Sequence, residues 1–324
     1  DDKELSQLHE AAIVEPEKTT SSDDKELSQL HEAAIVEPEK TTSSDDKELS
    51  QLRLPKNSTK TALHQLKITH KHCSGSRRHS KHHLSPASDL PNWIYPSEDF
   101  YDGVFKYFER RPIHVDSMIG KVSHHTKVSD IKGTKEFIID FGPNHRRRAL
   151  EYGSGIGRVT KGVLLPFFDE VDMVEPMERF LVASHAYIGK ALDRKVGHRF
   201  HCTAQDFRPP KRTYDMVLVQ LVTGYLRDHD VVTMLKRSSL ALKHGGVIVV
   251  KDNAIHKRVS PFFQAYELFF EPPVYKQKVH EMIRTCAHLE HLFQMAGLKV
   301  VAVREQHDLD FGLFPVYMYA LKPE

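Results

Sequence analysis

Cysteine is scarce in this chain: Cys73, Cys202 and Cys286 are the three in 324 residues. Their number is odd and their spacing wide, so they offer neither a disulfide framework nor a CxxC metal or redox pair. A reducing compartment is expected, the cytoplasm or the nucleus. Long apolar runs are also missing. The most apolar stretch, 246–250, sits between Gly245 and Lys251, whereas a membrane span needs roughly 20 residues. No basic, apolar and small-residue series follows Asp1, so a secretory signal is not expected. With 40% hydrophobic and 28% charged residues, the chain is neither wholly disordered nor fibrous.

The formal net charge of +2 hides three zones. Residues 1–22 recur without drift at 23–44, and a third copy begins at 45–52. These 52 residues hold 15 acidic and 5 basic side chains and no aromatic. They cannot bury enough apolar surface to offset ordering entropy, so disorder or transient helix is expected. Each unit has only two Leu, one Ile and one Val, too few for the ridge of a solenoid. Residues 53–88 then carry 8 Lys or Arg, six His and no acid. This basic linker, taken to residue 92, suits a solvated connector or a contact with nucleic acid or an import receptor. His70, His72 and Cys73 lack a second ligand pair at finger spacing, and no metal site is expected.

From about Trp93 to Glu324 the composition becomes globular, with helical and strand periods alternating as in a layered α/β domain. Amphipathic helices are expected at 98–110, 128–141, 158–165, 177–192, 230–242 and 279–296. Strands are expected at 148–152 and 170–174, and short, β-branched apolar runs predict further buried strands at 199–203, 215–220 and 247–251. Two further strands, 299–304 and 316–321, follow each other with no helix between them, which predicts an antiparallel pair.

The first long strand runs into LEYGSGIGR, which sets Gly153, Gly155 and Gly157 between a strand and a helix. There a ligand approaches the backbone closely. A dinucleotide fingerprint needs glycine at position 158, where Arg158 stands, so NAD and FAD are disfavoured. Glu175 ends the next strand, 20 residues after Gly155, where a carboxylate accepts ribose hydroxyls in such folds. Together these features fit an adenosyl ligand without phosphates.

The segments LEYGSGIGRVTKGVLLPFFDEVDMVEP, TAQDF, VQLVTGYL and VVKDN resemble the alpha-N-terminal protein methyltransferases, from about Asp99 to YMYALK near the end. The resemblance implies a class I methyltransferase fold: a doubly wound, seven-stranded, mostly parallel Rossmann-like sheet with a C-terminal antiparallel strand. It implies S-adenosylmethionine as cofactor and the N-termini of Xaa-Pro-Lys proteins as substrates. Carried over, it puts Gly153 and Arg158 at the methionine end, with Arg158 pairing the carboxylate through its fork. Gln220 falls near the same end. Glu175 stands where the family has Asp on the ribose, and Ala204 and Gln205 meet the adenine. Gly155, Pro176 and Met177 complete the cofactor set.

On the acceptor side Asn253 matches the family's substrate-amine residue, with Asp252 as its acidic neighbour. Tyr107 and Phe108 match its Tyr-Trp pair at the substrate entrance. Leu221 and Tyr225 occupy the places of a Trp and a His. The family's acidic DSS segment, which supplies its catalytic Asp, aligns near Lys278, Val279 and His280, and Glu281 is the nearest carboxylate. An aromatic-rich insertion, SPFFQAYELFFEPPVYKQ, precedes it and suits a substrate lid or a packing element. The catalytic set expected is therefore Asn253, Asp252, Tyr225 and Glu281. A different amine acceptor and a non-catalytic cofactor-binding role both stay open at this point.

Overall fold

The computed structural model describes residues 66–73, 100–255, 280–310 and 312–324, together with the backbone of 274–276. The acidic repeats, most of the basic linker and most of the aromatic insertion lie outside the described residues. Strands β2 (Arg148–Tyr152), β3 (Glu170–Glu175), β4 (Val196–His201), β5 (Tyr214–Gln220) and β6 (Leu242–Ile255) are joined by parallel ladders. Strands β9 (Leu298–Gln306) and β10 (Val316–Pro323) end the chain, and β10 is antiparallel to both β6 and β9. The order β4-β3-β2-β5-β6-β10-β9 is the expected doubly wound sheet of seven. Its order reverses between β2 and β5, where such folds bind ligands. Among the described residues no helix is long and apolar enough to cross a membrane.

The central strands are buried on both faces, which explains their continuous apolar runs. In β5, Val217 and Val219 enter one core while Met216 and Leu218 enter the other. Helix α3 (His124–Phe141) packs Phe137 and Ile138 on the second face, after α1 (Phe100–Glu109) and the short α2 (Val115–Ile119). Helices α5 (Asp228–Ala241) and α6 (Cys286–Met295) cover the first with Val231, Leu235, Leu289 and Phe293. Each such side chain, fully buried, contributes roughly 1.5–3 kcal/mol against the entropy of ordering it.

Several expectations need correction. The expected helix 279–296 begins only at Cys286. Before it, Glu281–Thr285 is a strand, β8, pairing parallel to β6 through Ala254↔Arg284 and Ile255↔Thr285, and antiparallel to β7 (Val274–Lys276). The Thr285 side chain accepts from His288 N and caps the helix there. The expected helix 158–165 is a π turn at Thr160–Leu164 followed by one α turn. The expected helix 177–192 divides into α4 (Glu178–Ile188) and a turn, because Gly189 enters the left-handed region at φ 85°.

The basic linker is also more than a connector. Ile68–Thr69 forms β1, which pairs parallel to the edge of β4. Cys73 is bonded to Cys202 across 129 residues of chain. The expectation of no disulfide therefore fails, and the inference to a reducing compartment loses its premise. Wide spacing in sequence says nothing of proximity once a parallel strand is added at the edge. In chain-entropy terms a bridge over a loop of this length stabilises by about 5 kcal/mol. Truncation before residue 66 should leave thermal unfolding of the oxidised domain nearly unchanged. Truncation through residue 88 should lower it by roughly 10–20 °C, as scanning calorimetry without reductant would measure.

Candidate active site

The carboxyl ends of β2, β3, β4 and β5 open into a cavity of about 1030 Å³ of free space, its mouth included. The glycine loop forms its floor. Gly153 and Gly155 hold φ of 64° and 55°, where a side chain is strained. A Cβ on Gly153 would stand 2.5 Å from Val222 Cγ2, and one on Gly155 would collide with Met118 Sδ. Glu175 braces this loop: Oε2 accepts from Gly155 N and Oε1 from Met177 N, both at 2.9 Å. Each carboxylate oxygen keeps a second lone pair for a hydroxyl group. Burial pushes the Glu175 carboxyl up to about 7. Pro176, Met177, Ala204 and Gln205 line the same cavity.

Arg158 is buried, and its Nη2 donates to Asp130 Oδ2 at 2.6 Å. Among the described residues its Nη1 is buried without a hydrogen-bond partner, as is Ser154 Oγ, which also belongs to the lining. Buried orphan donors of this kind call for an acceptor from outside the chain. A carboxylate at the methionine end of S-adenosylmethionine fits that need. Asp130, on α3, also accepts from Gln220 Nε2 at 3.1 and 3.0 Å and faces Lys251 Nζ at 2.8 Å. Burial opposes its ionisation, but the Lys251 ammonium and the Arg158 guanidinium hold its carboxyl down to about 2. Gln220 Oε1 accepts from Thr134 Oγ1, so this amide is fixed at both ends.

At the other end of the cavity the turn 222–226 follows β5. Asp252 Oδ2 accepts from Val222 N, Thr223 N and Thr223 Oγ1, and Oδ1 accepts from Asn253 N. Arg284 grips the same turn from below, donating to Thr223 O at 2.7 Å and Leu226 O at 2.6 Å, while Asp228 and His288 complete its charge network. Tyr225 is thereby aimed into the cavity, edge-on to Phe108 at 5.1 Å. Burial, then Glu281, pushes its phenol well above the usual range. Asn253 Nδ2 donates to Glu281 Oε1 at 2.9 Å, and Glu281 lies against Gly224.

The residues expected from sequence thus fall into two groups. Gly153, Gly155, Arg158, Glu175, Pro176, Met177, Ala204, Gln205 and Gln220 all line the cavity. Asn253 and Glu281 pair beside the turn 222–226, outside the lining, and of this second group Tyr225 alone reaches the cavity. Asp252 is buried beside them; its Oδ2 holds the turn in place and its Oδ1 accepts from Asn253 N. Sequence reasoning missed Asp130, Glu151, Lys251 and Arg284. Glu151 stands directly before the glycine loop, a signal that was available. It is buried in the cavity lining, accepts from Thr160 Oγ1, and is raised to about 8 by burial.

A family model described as AdoMet dependent proline di-methyltransferase matches residues 96–322. The chain is 34% identical over 242 residues to a Caenorhabditis elegans protein named Alpha N-terminal protein methyltransferase 1, covering 74% of this chain and 97% of that one. It is 32% identical over 234 residues to the Homo sapiens protein named N-terminal Xaa-Pro-Lys N-methyltransferase 1, covering 71% and 98%. A solved SAM-dependent methyltransferase of Leishmania major superposes with a TM-score of 0.59 at 27% identity, over 69% of this chain and 83% of that one.

Two predictions follow from the charges. Arg158→Ala should weaken S-adenosylmethionine by about 1.5–3 kcal/mol, the scale of a hydrogen bond to a charged group, when titrated by calorimetry. Glu151, Glu175 and Asp252, the last raised by burial to about 6, hold protons that the unfolded chain releases near pH 4. Stability without cofactor should therefore fall as pH rises from about 4.5 to 8. Asp130 has the opposite sign: its stabilisation is complete above about pH 4 and is lost as pH falls towards 2. Melting curves should slope downward from pH 5 to 8, and Glu151→Gln should flatten the upper part. An unaltered slope in that variant assigns the effect elsewhere.

Proposed function

Because this chain belongs to the AdoMet dependent proline di-methyltransferase family, we propose that it methylates the α-amino group of proteins beginning Xaa-Pro-Lys. The observation that carries this reading is the Asn253–Glu281 pair, 2.9 Å apart beside the turn that aims Tyr225 into the cavity. The relatives in nematode and human bear names for that activity. S-adenosylmethionine supplies, when bound, a methyl group on a sulfonium, open to displacement by an uncharged amine.

The chain's own residues then divide the work. Gly153 and Gly155 admit the cofactor to the backbone, Glu175 takes the ribose hydroxyls, and Arg158 Nη1 takes the carboxylate. Asn253 commits Nδ2 to Glu281, which leaves Oδ1 to accept an N–H of the incoming amine. An α-amino group titrates at about 7.7–8.0, so part of the substrate is charged near pH 7 and its proton must leave. Glu281 is the carboxylate in reach of that proton. Tyr225 and Phe108 wall the approach and limit water. Aligning amine and methyl in this way lowers the entropic part of the barrier. We further infer a cytoplasmic or nuclear site of action, because the basic stretch 53–88, with 8 Lys or Arg and no acid, suits an import receptor or nucleic acid.

The test uses an Ala-Pro-Lys peptide with a free N-terminus beside its N-acetylated form. The free peptide should be methylated and the acetylated one should not. Glu281→Gln should lower kcat by about 10²-fold or more, the contribution of a positioned base, with recovery as pH rises through the amine's own titration. Asn253→Ala should reduce kcat/KM with cofactor affinity unchanged. A protein that binds cofactor yet methylates no N-terminal peptide would overturn the reading.

A further inference from the structure

Residues 66–73 lie outside the span matched by the family, which starts at residue 96, yet they are built into the sheet beside the cofactor cavity. Lys67 O accepts from Arg199 N at 2.9 Å, Leu66 O accepts from Arg199 Nη1 at 3.2 Å, and Lys67 Nζ donates to Val196 O. Arg199 is itself completely buried. Farther along, Arg208 N donates to His72 O at 2.8 Å, and Cys73 forms a β-bridge with Phe207. Lys67 and His72 hold φ of 54° and 67°. Residues other than glycine persist there only when their surroundings over-determine them.

This strap reaches both loops that bracket the adenosyl end of the cavity. On one side the His70 ring packs on His201 with centroids 4.7 Å apart, and His201 Nε2 lies 3.0 Å from Pro176 O. Pro176 and Met177 line the cavity next to Glu175. On the other side Cys73 is bonded to Cys202, directly before Thr203, Ala204 and Gln205 of the lining. Both contacts come from one short segment, and one of them is a bond that exists only between oxidised sulfurs.

We propose that residues 66–73 are a cofactor-positioning strap, and that the Cys73–Cys202 bond sets the affinity for S-adenosylmethionine according to the thiol state. In the reduced state both cysteines are thiols, and the strap is held by hydrogen bonds and ring packing without a covalent tie. Exchange with a low-molecular-weight disulfide such as oxidised glutathione closes the bridge. One S–S bond forms between Cys73 and Cys202, the glutathione S–S bond breaks, and two glutathione thiols leave with the two protons. The protein thiols are oxidised and glutathione is reduced. With the bridge closed, the 203–205 loop is already ordered before the cofactor arrives, so binding spends less on ordering it. With the bridge open, that ordering is part of binding.

The experiment uses the full chain, equilibrated with oxidised glutathione or with dithiothreitol, and calorimetric titration with S-adenosylhomocysteine as a stable probe. Peptide mass spectrometry of the oxidised sample should recover Cys73 cross-linked to Cys202. The oxidised protein should bind at least about fivefold more tightly than the reduced one, the lower end of typical coupling between sites. Hydrogen exchange at 66–73 and 203–205 should accelerate on reduction. Cys73→Ser should show the reduced affinity under both conditions, and His70→Ala should weaken binding even in the oxidised protein. Absence of the cross-link after oxidation overturns the proposal. So does a cross-link that forms while the two affinities agree within twofold. Neither readout depends on the acceptor, so a failure here is distinct from a failure to methylate N-termini.

Discussion

One carboxylate allows two cations to be buried side by side at the centre of this protein. Lys251 is completely buried and Arg158 nearly so, and both face Asp130. Isolated, each would cost several kcal/mol to remove from water. Asp130 compensates both, while Thr134 Oγ1 and Gln306 Oε1 accept the remaining Lys251 donors. The cluster ties α3 to the helical turn after the glycine loop, to the end of β5 through Gln220, and to β6 through Lys251. Every element that shapes the methionine end of the cavity meets there. The net charge of the three groups is +1, and among the described residues Arg158 Nη1 has no hydrogen-bond partner, so the cluster is suited to an anion from outside.

A second pair of buried charges does for the acceptor end what Asp130 does for the cofactor end. The turn 222–226 has two of its N–H groups taken by Asp252 and two of its carbonyls by Arg284. Asp252 is on β6 next to Asn253, and Arg284 is on β8, three residues from Glu281. The turn that carries Tyr225 is therefore gripped by the two strands that carry the proposed amine ligand and base. Leu221, just before it, holds φ of 56°, a conformation that costs of order 1–3 kcal/mol and persists because both grips enforce it.

The sheet was legible in the sequence because its signal is local. The short runs at 148–152 and 215–220 suit a parallel sheet buried on both faces, and they appear there, the first with the expected bounds and the second one residue longer. The cofactor-side residues were legible for the same reason, since a glycine loop and a carboxylate at adjacent strand ends are short-range patterns. What failed to show was non-local. Asp130 sits in the weakly amphipathic helix α3, and nothing in its own neighbourhood marks it as the partner of residues 28 and 121 positions away. Cys73 and Cys202 are 129 residues apart and meet only because β1 joins the β4 edge. Strand β8 was misread because Met282, Ile283 and Leu289 fit a helical period as well as a strand. The cap at Thr285 was the local sign that separated the two.

The misreading of β8 bears directly on the chemistry. On a helix beginning at 279, Glu281 would project from a first turn with no ladder to β6. On a strand locked to β6 by Ala254↔Arg284, its place relative to Asn253 is fixed by the ladder. At about 3.3 Å per residue, Glu281 stands roughly 10 Å along the strand from the Arg284 grip. The family's acidic segment is absent from this sequence, but what a base requires is a carboxylate within hydrogen-bond reach on rigid backbone. The β6–β8 pairing places Glu281 on such backbone, and the 2.9 Å bond between Asn253 and Glu281 is its local consequence. The same bond orients the amide, so one contact sets both the proposed amine ligand and the proposed base.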